Sequence, residues 1–326
     1  MCLLQIENLT KRFPVGGAGL LSSGKHEFVH AVDGVSITLE RGETLGLVGE
    51  SGCGKSTLGR CILRLIEPSS GTVVFEGRDL LKLTHNQMRQ ERSNLQIVFQ
   101  DPMGSLNPRM RIGAILAEAL LTHKIVPRSE IKMETARLLE QVGMPADSAD
   151  RFPHEFSGGQ RQRIGIARAL SVRPKLIVAD EPISALDVSI RAQILNLLRS
   201  VQQDSGVAIL FIAHDLGAVR QISDRIAVMY LGKIVETGNA DSIYDSPAHP
   251  YTQALLDAIP SVEEPQGERT EAVHLTDEPP SALNLPSGCR FRTRCPIAQE
   301  ICAREEPLLK PVCQSRTHSA ACHFAP

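Results

Sequence analysis

The chain has 326 residues, room for one large domain and a smaller one. A formal net charge of −2, no Trp and only 3 Tyr exclude a basic or base-stacking surface, so nucleic acid is not expected as a partner. Apolar residues make up 42%, enough for a real core, yet no apolar run approaches the ~20 residues that span a bilayer, and no signal peptide pattern opens the chain. A cytoplasmic protein is expected, meeting a membrane only through a partner.

In chain order, residues 3–48 read as strands and turns, with candidates at 4–9, 37–40 and 44–48. A Gly/Ser-rich insert at 16–24 reads as a flexible surface loop. Gly49-Glu50-Ser51-Gly52-Cys53-Gly54-Lys55-Ser56 follows the apolar run Thr44-Leu45-Gly46-Leu47-Val48. It precedes a stretch with apolar residues at helical spacing, namely Leu58, Ile62, Leu65 and Ile66. Strand, glycine loop and helix together make a phosphate-binding loop. The glycines turn backbone N–H groups inward, and the helix start adds its positive end. Lys55 supplies a point charge, and Ser56 can ligate the Mg²⁺ that travels with ATP. A glycine-rich turn with a chance lysine would not carry both flanks.

Further strand candidates lie at 72–76 and 95–99, and the pattern turns helical from about 113 to 142. Phe156-Ser157-Gly158-Gly159-Gln160-Arg161-Gln162-Arg163 then opens a helix. Ser157 reads as its N-cap, and Gly158 and Gly159 leave backbone N–H groups open to an anion. One monomer does not need two γ-phosphate cradles, so this second cradle implies a dimer in which each chain closes on its partner's ATP. Leu176-Ile177-Val178-Ala179 is a buried-strand run ending in two carboxylates, Asp180 and Glu181. That sheet edge is where ligands bind in doubly wound folds. Asp180 is placed to hold Mg²⁺ and Glu181 to polarise water. Strand and helix alternate to residue 229, which indicates a parallel sheet covered on both faces. After Gly238 prolines multiply and strands fade.

Of eight cysteines, five lie at the C-terminal end, spaced C-x5-C-x6-C-x10-C-x8-C from Cys289 to Cys322. A reducing compartment argues for a metal or cluster over disulfides. Structural zinc usually shows tight C-x2–4-C knuckles, which are missing. All-thiolate ligands at loose spacing suit an iron–sulfur cluster, while zinc or unligated thiols remain alternatives.

With these motifs in place, residues 3–240 resemble the nucleotide-binding subunit of an ABC transporter. The resemblance implies an α/β P-loop NTPase with a RecA-like core. Domain 1–240 would carry an inserted helical subdomain at about 101–168, and 241–326 would form a small Cys-rich extension. Gly49, Ser51, Gly52, Cys53, Gly54, Lys55, Ser56 and Thr57 match the Walker A loop. Gln100 matches the Q-loop glutamine, which senses Mg²⁺ and couples to the membrane subunits. Ser157, Gly158, Gly159 and Gln160 match the signature motif, and Asp187 closes the D-loop Ser184-Ala185-Leu186-Asp187. Asp180 matches the Walker B aspartate, Glu181 the catalytic glutamate and His214 the switch histidine at the γ-phosphate. Phe13 sits where the family places an adenine-stacking aromatic. Ser56, Gln100 and Asp180 would serve Mg²⁺, and Lys55, Glu181 and His214 the chemistry.

His249-Pro250-Tyr251-Thr252-Gln253-Ala254-Leu255-Leu256 and Gly288-Cys289-Arg290-Phe291-Arg292-Thr293-Arg294-Cys295-Pro296 narrow the resemblance to dipeptide/oligopeptide importers. That likeness implies a 4Fe-4S centre on Cys289, Cys295, Cys302 and Cys322, with Cys313 spare. It also implies a paralogous or identical ATPase partner, two transmembrane permease subunits and an extracytoplasmic peptide-binding protein. The place of work would be the cytoplasmic face of the inner or plasma membrane. Relatives carry nickel or glutathione. The rival readings are a soluble ABC ATPase of DNA repair or translation, and a kinase. The first lacks its usual coiled-coil insertion here, and the second has no use for Ser-Gly-Gly-Gln.

Overall fold

Apolar strands and one-sided helices alternate through most of the chain. The computed structural model describes residues 2–15, 27–259, 279–313, 315 and 317–326, so the insert at 16–24 and the Pro-bearing stretch 260–278 lie outside the described residues. The strands are β1 (Cys2–Val15), β2 (Glu27–Glu40), β3 (Thr44–Val48), β4 (Ser70–Phe75), β5 (Arg78–Asp79), β6 (Leu95–Val98), β7 (Leu176–Asp180), β8 (Ala208–Ala213), β9 (Arg225–Tyr230), β10 (Lys233–Asn239), β11 (Lys310–Pro311) and β12 (Ser319–Ala320). The helices are α1 (Lys55–Ile62), α2 (His85–Glu91), α3 (Pro102–Ser105), α4 (Ile112–Thr122), α5 (Ile131–Gln141), α6 (Gly158–Leu170), α7 (Val188–Ser205), α8 (Leu216–Ile222), α9 (Ala240–Asp245), α10 (Pro250–Asp257) and α11 (Glu300–Arg304).

Two compact units divide these elements. One holds residues 39–44 and 82–213, the other 2–38, 45–81 and 214–326. In the first unit β6, β7 and β8 pair in parallel, with Val178 opposite Ile97 and Leu210. β7 and β8 are buried at every position, as apolar strands covered on both faces must be. Between β6 and β7 the chain forms helices α3 to α6. α5 meets the rest through Leu138 and Leu139, both buried, while Arg163 of α6 donates to Val142 O at 2.7 Å just past its end.

In the second unit β3 and β9 pair in parallel, and β9, β10, β12 and β11 continue antiparallel. A separate antiparallel sheet runs β2-β1-β4-β5, with Leu4 opposite Phe75 and Ile6 opposite Val73. Parallel strands were therefore only part of the sheet architecture. β1 shows why: Leu4, Ile6 and Leu9 are buried while Gln5, Glu7 and Asn8 are exposed, the pattern of a one-sided sheet.

β10 is a strand that the sequence pattern between residue 229 and Gly238 did not reveal. Its bulge between Ile234 and Glu236 breaks the two-residue period, and its centre carries a charge. Glu236 is 0% exposed, yet its carboxylate accepts Ala248 N at 2.7 Å, His249 N at 3.0 Å and pairs with His318 Nε2 at 2.7 Å. A buried carboxylate satisfied on both oxygens is a staple rather than a defect. It ties the start of α10 and the stretch before β12 to the sheet.

Candidate functional site

The phosphate loop turns from β3 into α1 within the second unit. At Gly54, the N-cap of α1, φ is 108°, and a Cβ there would stand 1.9 Å from Ala31 O. Only glycine fits both the torsion and the approach. Lys55 is buried, and its Nζ donates to Gly49 O at 2.7 Å and Glu50 O at 2.9 Å. Cys53 O accepts Gly232 N at 2.9 Å, so the loop is fixed to the turn after β9. Ser51 and Gly52 are exposed, Ser56 and Thr57 half-buried. An exposed rim over a buried cation beside a helix start offers the donors and the positive charge that an anion takes. In the same unit Phe13 lies half-buried with Lys11 Nζ over its ring at 4.9 Å, and His214 is exposed immediately after β8.

The first unit carries Asp180, Glu181, Gln100 and the Ser157–Gln160 turn. Asp180 is buried at the end of β7. Glu181 follows in the left-handed region at φ 48°. Its N–H donates to Ile212 O at 3.0 Å, and its carbonyl accepts Ser184 N at 3.3 Å and Ser184 Oγ at 3.1 Å. A non-glycine residue in that region costs on the order of 1–3 kcal/mol and persists where its surroundings over-determine it. Gln100 Nε2 donates to Glu181 Oε2 at 3.0 Å, so two residues expected to work together do meet.

Ser157 caps α6. Its Oγ accepts Gln160 N at 3.4 Å, while Gln160 Oε1 accepts Ser157 N at 3.0 Å. Gln160 thus completes a reciprocal capping box. Gly159 lies against α7, where a Cβ would come within 2.5 Å of Ile190 Cγ2, and the exposed Asp187 is the N-cap residue of α7. The Ser157–Gln160 turn and the start of α7 therefore lie side by side. On the helical insertion, a groove of about 910 Å³ opens among Arg111, Gly113, Ala117, Leu121, Arg128 and Ile131.

The C-terminal cysteines gather in part. Burial pushes the thiols of Cys289 and Cys322 up, and that of Cys295 up to about 11. Each also feels at least one of the other three positions of the expected set, while Cys313 is exposed. Cys289 N donates to Cys302 O at 2.8 Å. The expected ligand cage is nevertheless not formed: among the described residues, no three His, Cys, Asp or Glu side chains stand close enough to hold a metal.

Two residues outside the expected set, Tyr251 and Arg294, converge on the loop at Glu50. Glu50 N donates to Tyr251 Oη at 2.7 Å, and Arg294 donates to both Glu50 carboxylate oxygens at 2.7 and 2.8 Å. The aromatic rings of Tyr230, Tyr251 and Phe291 pack behind them, with centroids 4.6 to 5.4 Å apart. A charged residue inside a glycine loop was the one signal in the sequence that could have pointed to this grip.

Known proteins resemble most of this chain. The family model for ABC transporters matches residues 32–184, and that for the oligopeptide/dipeptide transporter C-terminal region matches 235–302. Oligopeptide transport ATP-binding protein AppF of Bacillus subtilis is 48% identical over 323 residues, covering 99% of this chain and 97% of that protein. Oligopeptide transport ATP-binding protein OppF of Salmonella typhimurium is 48% identical over 328 residues, covering 98% and 95%. Among solved structures, cbiO1 from Clostridium perfringens, part of the ABC transporter complex cbiONQ, superposes with a TM-score of 0.64 at 28% identity, covering 75% of this chain and 91% of that one. A dimeric ATP-binding cassette in a post-hydrolysis state, bound to ADP and Pi, gives 0.63 at 25% identity, covering 73% and 99%.

Proposed function

Because this chain belongs to the ABC transporter family, among its oligopeptide-transport ATP-binding proteins, we propose that it is the motor subunit of a peptide importer. It hydrolyses ATP to ADP and phosphate, and that hydrolysis energises uptake of oligopeptides or dipeptides. The observation that carries this reading is the buried Lys55, folded onto two loop carbonyls at the start of α1. Lys55 neutralises phosphate oxygens and Glu181 orients the attacking water, with Gln100 holding one of its carboxylate oxygens. Ser56, Gln100 and Asp180 offer the hard oxygen ligands that Mg²⁺ takes, and Mg²⁺ would supply charge neutralisation at the phosphates. His214 serves the γ-phosphate and Phe13 the adenine.

The capped Ser157–Gln160 turn beside Asp187 supports closure on a second ATPase chain, identical or paralogous. The groove on the helical insertion supports docking of two transmembrane permease subunits, fed by an extracytoplasmic peptide-binding protein. Among the described residues no helix is long and apolar enough to cross a membrane, so attachment at the cytoplasmic face through those permeases is the arrangement we propose. The match over residues 235–302 favours transport over a soluble ABC ATPase of repair or translation. Cys289, Cys295, Cys302 and Cys322 all lie in the extension as free thiols, and a 4Fe-4S cluster, or zinc, that draws them together is the structural element we propose there.

Glu181→Gln tests the catalytic assignment. The amide keeps the shape and loses the charge, so ATP should still bind while turnover falls at least about 100-fold. Normal steady-state hydrolysis by this variant would sink the assignment.

A further inference from the structure

Glu50 is held at every polar group it owns. Its N–H is taken by Tyr251 Oη, its carboxylate by the fork of Arg294, and its carbonyl by Lys55 Nζ. Both gripping side chains come from the C-terminal part of the chain and both are buried: Tyr251 is 0% exposed and the Arg294 side chain 5%. The Glu50 carboxylate, as hydrogen-bond partner, holds Arg294 firmly charged. A bidentate pair of this kind fixes direction as well as distance. Since the flanking peptide planes cannot turn, the carbonyls of Gly49 and Glu50 stay aimed at the Lys55 ammonium.

We propose that Tyr251 and Arg294 are positioning residues for nucleotide. Acting through Glu50, they hold the phosphate loop in its binding shape and place Lys55, so the C-terminal extension sets the affinity for ATP. A loop already ordered loses less freedom when phosphate arrives. This inference rests on the ATPase reading above and adds to it a role for the extension that none of the nucleotide motifs contains.

The test is Mg-ATP affinity of the full chain, with kcat and KM for ATP of the reconstituted transporter. Tyr251→Phe keeps the ring and removes the acceptor, and it should weaken binding about fivefold, the value of one hydrogen bond. Arg294→Met should weaken it about tenfold or more, with Arg294→Lys in between because it keeps charge and loses the fork. The Glu50→Gln/Arg294→Met pair should be no worse than Arg294→Met alone. KM for ATP should rise while kcat stays within about twofold, since the loop binds ground and transition states alike. Arg290→Met is the control: it breaks the extension's pairing with Asp33 and Leu231 O without touching Glu50, and should leave ATP affinity unchanged. Wild-type affinity in both Tyr251→Phe and Arg294→Met would overturn the proposal, as would strict additivity in the double variant or an equal loss in Arg290→Met. A wild-type chain that binds no ATP would instead overturn the ATPase reading itself.

Discussion

Lowering the pH should loosen the C-terminal extension through one histidine. His249 is buried at the start of α10, where its Nδ1 accepts Tyr251 N at 3.0 Å and its ring packs on Phe291 at 5.8 Å. An accepting Nδ1 requires the neutral ring, and burial pushes its pKa down from 6.5 to about 4. The released chain binds a proton near pH 6.5 and the folded one does not, so stability is complete above that value and drains as pH falls towards 4. Two and a half pKa units correspond to about 3 kcal/mol in full, and to roughly 2 kcal/mol at pH 5. The assay is hydrogen exchange of the α10 amides between pH 7.5 and 4.5, with intrinsic rates corrected. His249→Asn is the comparison, because asparagine caps a helix and does not titrate. The wild type should lose protection relative to His249→Asn by about 30-fold at pH 5. Parallel pH profiles for the two proteins would refute the reasoning.

Gly54→Ala should abolish ATP binding and lower stability by about 3 kcal/mol or more, since the new Cβ meets Ala31 O at 1.9 Å in a left-handed backbone; wild-type binding by this variant would contradict the loop geometry. Mixing a Ser157→Arg chain with its wild-type ATPase partner should disable one of the two composite sites, and full activity in a strictly monomeric preparation would count against the shared-site reading. Protein purified without oxygen should be brown, absorb broadly near ~400 nm and carry about four irons. Cys295→Ser or Cys302→Ser should bleach it and Cys313→Ser should not. A colourless protein with stoichiometric zinc would replace the cluster, and a metal-free protein whose extension resists protease equally with Cys295→Ser would remove both.

What could be read from the sequence was what is local in it. The phosphate loop carries strand, turn and helix within consecutive residues, and the Ser157 cap repeats the S-x-x-Q spacing of a capping box. Buried strands such as β7 and β8 announce themselves because both faces are apolar. β10 did not, because it buries the charge of Glu236 and slips register at a bulge. The grip on Glu50 was equally hidden, since a loop glutamate reads as a solvated charge until its partners are known. Those partners stand 201 and 244 positions further along the chain.

That separation has a consequence for timing. Ribosomes add about 5–20 residues per second, so the 244 positions between Glu50 and Arg294 take roughly 12 to 50 s to make. For that interval the nascent chain owns a phosphate loop whose Glu50 carboxylate still lacks the Arg294 fork. With affinity set by the extension, the motor would acquire its full grip on ATP only near the completion of synthesis, which keeps half-made chains from closing on nucleotide or on each other.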